Sequence, residues 1–95
     1  MFGLDREMGY THREFFNQAP RTFKNHSYQI EDSTIIVQLE HGVARIQVGP
    51  QKVRQITPMM RLPYVEVSIR FEQVSNEEQA KFMRLFDTSY QKGGG

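Results

Sequence analysis

Apolar positions recur along this chain in two distinct periods. Thr11-His12-Arg13-Glu14 has the spacing of a capping box, in which the Thr11 hydroxyl accepts from the Glu14 backbone N–H and the Glu14 carboxylate reaches back. A short helix is expected to start there, turn Phe15, Phe16 and Ala19 toward a core, and stop near Pro20, whose ring opposes helical geometry. From Ser27 the period falls to two. Tyr28 and Ile30 alternate with Gln29 and Glu31, Asp32-Ser33 reads as a turn, and Ile35, Val37 and Leu39 share a face, which together predict a hairpin. Glu40-His41-Gly42 is a second turn, with Gly42 expected to supply a positive φ, and Ala44, Ile46 and Val48 line the next strand.

Beyond Gly49-Pro50, a further strand over Lys52 to Thr57 has Val53 and Ile56 out of phase, and Pro58 and Pro63 bracket Met59-Met60-Arg61-Leu62 as a loop or sheet edge. Val65, Val67, Ile69 and Phe71 then alternate with Glu66, Ser68 and Arg70, the mark of a strand buried on one side only. Ser75-Asn76-Glu77-Glu78 is a second capping box, and Phe82, Phe86 and Tyr90, spaced by four with Met83 beside them, predict a closing helix. The expected fold is α+β. It is a single-domain two-layer sandwich with a short N-terminal helix, a four- or five-stranded antiparallel meander and a C-terminal helix, both helices on one sheet face. Residues 1–10, aperiodic and carrying Gly3 and Gly9, are expected to form a flexible segment, 11–91 the domain, and 92–95 a flexible glycine-rich tail.

With 95 residues there is length for one domain only. Zero Cys removes disulfides, thiolate metal sites and cysteine nucleophiles. Asp5, Arg6 and Glu7 stand where a signal peptide needs apolar residues, so a soluble, cytoplasmic protein without a membrane partner is expected. His12, His26 and His41 lack metal-ligand spacing, the Glu77-Glu78 pair is explained by the helix start, and no nucleophile elbow, phosphate loop or dinucleotide fingerprint occurs. The expectation is therefore a non-catalytic protein with no cofactor or metal.

Twelve basic and eleven acidic residues nearly cancel, but none of the acidic ones falls between Glu40 and Glu66, while Arg45, Lys52, Arg54 and Arg61 do. If neighbouring strands carry them, Arg45, Arg54 and Arg70 share the open sheet face, with Tyr64 available for stacking. The same residues also serve as solubilising charges that discourage edge pairing. Met59 and Met60 fill the core or form an adaptable apolar lip. These six, Arg45, Arg54, Arg70, Tyr64, Met59 and Met60, are the candidate partner-binding residues. The function they suggest is a small binding module that engages a protein partner, or a second copy of itself, through an exposed basic face or free strand edge. Weak binding of single-stranded nucleic acid along the basic stripe is the less favoured alternative. The terminal Gly93-Gly94-Gly95 resembles the diglycine tail of sulfur carriers and ubiquitin-like modifiers, which implies acyl or sulfur carriage through the terminal carboxylate. Those families lead into the glycines with a strand, whereas here a helix does.

Overall fold

The computed structural model describes residues 2–91. Its elements are β1 (Phe2–Met8), α1 (His12–Thr22), β2 (Tyr28–Glu31), β3 (Thr34–Gln38), β4 (Val43–Val48), β5 (Lys52–Thr57), β6 (Met60–Glu72) and α2 (Asn76–Ser89). The fold is α+β with a single open antiparallel sheet, ordered β1-β6-β4-β3-β2, and β5 paired only with the first part of β6. Six strands replace the expected four or five. Consecutive strands β2, β3 and β4 do form a meander, but β6 rather than β5 lies beside β4.

The first ten residues are the largest departure from expectation. Phe2–Met8 is a strand that lies along β6, with Leu4 opposite Ile69 and Met8 opposite Val65. Tyr10, just beyond it, is buried with its ring edge-on to Phe15 and Tyr90. The alternation in β1 is masked because Arg6 takes an inward row at the sheet edge, where it pairs with Asp87 of α2. Residues 92–95, and with them Gly93-Gly94-Gly95, lie outside the described residues.

Both helices cover one face of the sheet. Phe15, Ala19 and Phe23 from the first helical segment and Phe82, Phe86 and Tyr90 from the last meet Ile35, Val37, Ala44, Ile46, Val48, Val65, Val67, Ile69 and Phe71 in one core. Helix α1 begins as expected, with both halves of the Thr11 capping box formed. It does not stop at Pro20 but carries it inside, and ends two residues later. The continuation buries Phe23, stacked on Phe82 with ring centroids 5.8 Å apart. The second capping box is only half formed. Ser75 accepts from the Glu78 N–H, but the Glu78 carboxylate accepts instead from the Glu40 backbone N–H at 2.7 Å, tying α2 to the β3–β4 turn. Gly42 in that turn does not take a positive φ. It is glycine because a Cβ there would lie 2.1 Å from the Glu72 carbonyl oxygen.

Candidate interaction site

The site is built from a single long hairpin. Val48 of β4 faces Val67 of β6, and Lys52 of β5 faces Tyr64, so four residues of one strand span three of the other. Strand β5 is thus β4 continued past a bulge at Pro50-Gln51, on the same side of β6. The proximal half of this hairpin is central in the sheet, and the distal half runs on alone as a two-stranded arm closed at Pro58-Met59. A second irregularity between Gln55 and Thr57 places Ile56 out of register, which accounts for its being out of phase with Val53 in the sequence. Six residues of extended chain reach about 20 Å. That reach explains the dimensions of 48 × 25 × 22 Å and a radius of gyration of 14.0 Å, against about 12 Å for a compact chain of this length.

Residues 50–62 are exposed throughout. Of the seven large hydrophobic residues exposed among the described residues, five belong to the arm: Val53, Ile56, Met59, Met60 and Leu62. Met59, at 95% exposure, and Met60 therefore do not fill the core. They form the apolar end of the arm. Their position under no other element follows from the reach of β5 beyond the sheet, which leaves no helix to cover them.

A cluster at the base of the arm links it to the body. The Arg54 guanidinium lies over the Tyr64 ring, 4.7 Å from its centroid, and continues across β6 to pair with Glu7 of β1. Lys52 donates to Glu66 at 2.7 Å. The hydrogen bond and charge of Glu66 raise the Lys52 pKa above its ordinary value, and Glu7 does the same for Arg54. A two-stranded ribbon is marginal in water when isolated, so these cross-strand contacts to the body bear on whether the arm is held straight.

The three arginines do not converge. Arg45 sits directly opposite Arg70 on the open face, and each is paired with a carboxylate, Arg45 with Glu72 at 2.8 Å and Arg70 with Asp5 at 3.4 Å. Arg54 faces Leu62, eight residues further along β6, a separation of about 26 Å. The open face is consequently laced with ion pairs of both signs rather than being uniformly basic. Arg61, on the arm, is the one of the four cations between Glu40 and Glu66 that forms no ion pair among the described residues.

Among the described residues, no group of three or more His, Asp or Glu side chains is placed to hold a metal ion, and no helix is long and apolar enough to cross a membrane. Two open depressions of about 360 and 590 Å³ lie along β1, and each charged residue lining them is already in an ion pair, Arg6 with Asp87, Asp5 with Arg70, Glu7 with Arg54 and Glu66 with Lys52. No protein-family model matches the sequence, and no curated protein or solved structure is significantly similar to it.

Proposed function

We propose that the chain is a small non-catalytic binding module that engages a protein partner through the β5–β6 arm. The observation that carries this is the concentration of five exposed large hydrophobics on a ribbon held clear of the core. Apolar residues scattered singly over a surface need no explanation, but five of the seven exposed ones gathered on the two sides of one ribbon do. Methionine suits such a contact because its unbranched, polarisable side chain adapts to an irregular surface. Each of the four half-covered side chains leaves roughly 1 kcal/mol of burial free energy unused and the nearly bare Met59 about 2 kcal/mol, so the set offers on the order of 6 kcal/mol. Association itself costs about 4–15 kcal/mol. The apolar arm is therefore enough to direct a contact and too little to hold one alone, which favours a partner that also uses the backbone edge of β5.

The nucleic-acid reading rests on Lys52, Arg54 and Arg61 and the lack of acidic residues over 50–62. Two of those three cations are already bonded to carboxylates, and apolar side chains outnumber them on the arm. The deciding experiment places a photo-crosslinking residue at Met59, or at Gln47 on the open face as control, in the full chain in cells. Adducts to a defined protein from position 59 and not from 47 are expected. Adducts to nucleic acid, equal labelling from both positions, or none at all overturn the proposal.

A further inference from the structure

The arm has two backbone edges, and they are not alike. The Gly49 N–H donates to the Glu66 carbonyl at 2.8 Å, so the even-numbered residues of β6 turn their peptide groups toward the β4 and β5 side. Strand β6 runs on without a bulge of its own to Tyr64 and Leu62, which face β5, while Pro63 faces away. Proline has no N–H, so the β6 edge of the arm lacks a donor at its centre and is a poor template for another strand. The β5 edge is different. Val53 and Gln55 turn their N–H and C=O groups outward, and no strand among the described residues pairs along that edge.

The body has a complementary edge at β2. The Gln38 N–H donates to the Ser27 carbonyl at 2.8 Å, so residues 27, 29 and 31 turn toward β3, and Tyr28 and Ile30 turn outward along the free edge. Ile30 is 45% exposed and Val53 59%. Ile30 lies opposite buried Ile35, and Val53 opposite Pro63, which shares a side of β6 with buried Val65, so both side chains belong to the helix-covered side. Antiparallel pairing of Val53 with Ile30 then sets Gln55 against Tyr28, and on the other side Lys52 against Glu31. Among the described residues, Glu31 and Asp32 have no ion-pair partner. Apolar residue and donor therefore match in a single register, and Lys52, which already bonds Glu66 in its own chain, comes to lie beside a second carboxylate. The other free edge of the sheet, β1, offers no such match, because Asp5 and Glu7 alternate along it and are already engaged with Arg70 and Arg54.

We infer that β5 of one molecule pairs with β2 of a second copy of this chain, reciprocally, in a two-fold dimer with one continuous sheet. Closure follows from the strand order. Because β5 prolongs β4, the space beside it lies beyond the ends of β3 and β2 and is two strands wide. A second copy turned about an axis normal to the sheet fills that space with its own β2 and β3, and its arm comes to lie along β2 of the first. Two identical junctions form for one loss of translational and rotational freedom, the advantage of an isologous contact. This inference rests on the arm being the interaction surface, and it assigns only the occupant of the β5 edge, leaving Met59 at the tip outside the junction.

Solution mass of the full chain measured across a concentration series by sedimentation tests it. The mass is expected to rise from 11.2 kDa toward twice that value. Val53→Pro deletes one outward donor per junction without touching the β6 pairing, and is expected to raise the dimer dissociation constant roughly thirtyfold. A second variant fixes the register. The chain has no Cys, and hydrogen-bonded antiparallel pairs place Cα atoms at about 5.5 Å, within disulfide range. Ile30→Cys combined with Val53→Cys is expected to give a reducible dimer on oxidation, and neither single variant is. A monomer at every concentration, or a dimer indifferent to Val53→Pro and not linked by the cysteine pair, overturns the inference. A monomer whose position 59 still labels another protein overturns only the second copy as occupant, whereas loss of that labelling overturns the arm as interaction surface.

Discussion

Strand β6 allows the same kind of truncation to be made at two ends of one element, inside the core and out on the arm. Ile69 is fully buried, and replacing it with Ala removes methyl groups from a packed layer, an expected loss of about 2–5 kcal/mol. Met60 and Leu62 are each 50% exposed, and what covers them is the arm itself. Full burial of such a side chain is worth roughly 1.5–3 kcal/mol, so at most about 1 kcal/mol per residue is at stake. Less of it reaches the global equilibrium, because the ribbon can open while the core stays closed. Met60→Ala with Leu62→Ala is thus expected to lower stability by no more than about 1 kcal/mol, a shift of about 4–8 °C in Tm for a domain of this size. Urea unfolding followed by far-ultraviolet circular dichroism measures both variants on one scale, with the slope against urea expected to be unchanged in each. A loss in the double variant equal to that of Ile69→Ala would refute the reasoning, since it would mean that the arm packs on the body and is not free to meet a partner.

Two other expectations concern the body. Gly42→Ala puts a methyl group 2.1 Å from the Glu72 carbonyl oxygen and 2.6 Å from that of Gln73, which already holds a positive φ of 59°. Neither backbone atom can yield easily, so a loss of about 3 kcal/mol or more is expected, seen as a fall in Tm of more than about 10 °C. Burial pushes the Tyr90 phenol pKa well above its ordinary value, with the hydroxyl donating to the Phe15 carbonyl at 2.9 Å. Above the unfolded tyrosine value near pH 10, the native state then holds a proton that the unfolded state has released. Stability is complete below that pH and falls as pH rises toward the folded value. Unfolding free energy measured from pH 8 to 11 is expected to decline over the upper part of that range, and Tyr90→Phe to flatten the decline; an equal slope in both proteins would count against the assignment.

Much of the fold is written in short stretches of sequence because the forces behind it are local. The Thr11 and Ser75 caps need residues only three apart, and the alternation from Val65 to Phe71 states which side of a strand is wet. Phe82, Phe86 and Tyr90 are core because one face of α2 must dock somewhere. The site residues are a different matter. Whether Met59 and Met60 are covered depends on how far β5 runs past β3 and β2, which no window around them contains. The ion pairs of Arg45, Arg54 and Arg70 depend on Glu72, Glu7 and Asp5, brought beside them by strand pairing across as many as 65 residues. Strand β1 escaped a periodic reading for the same reason: Arg6 occupies an inward row that only Asp87 of a helix at the other end of the chain makes tolerable. Period and capping are properties of neighbours along the chain, so sequence alone determined the elements and their wet and dry sides. Exposure and charge balance are properties of neighbours in space, so the arm, its apolar tip and its open β5 edge were decided only when the sheet was assembled.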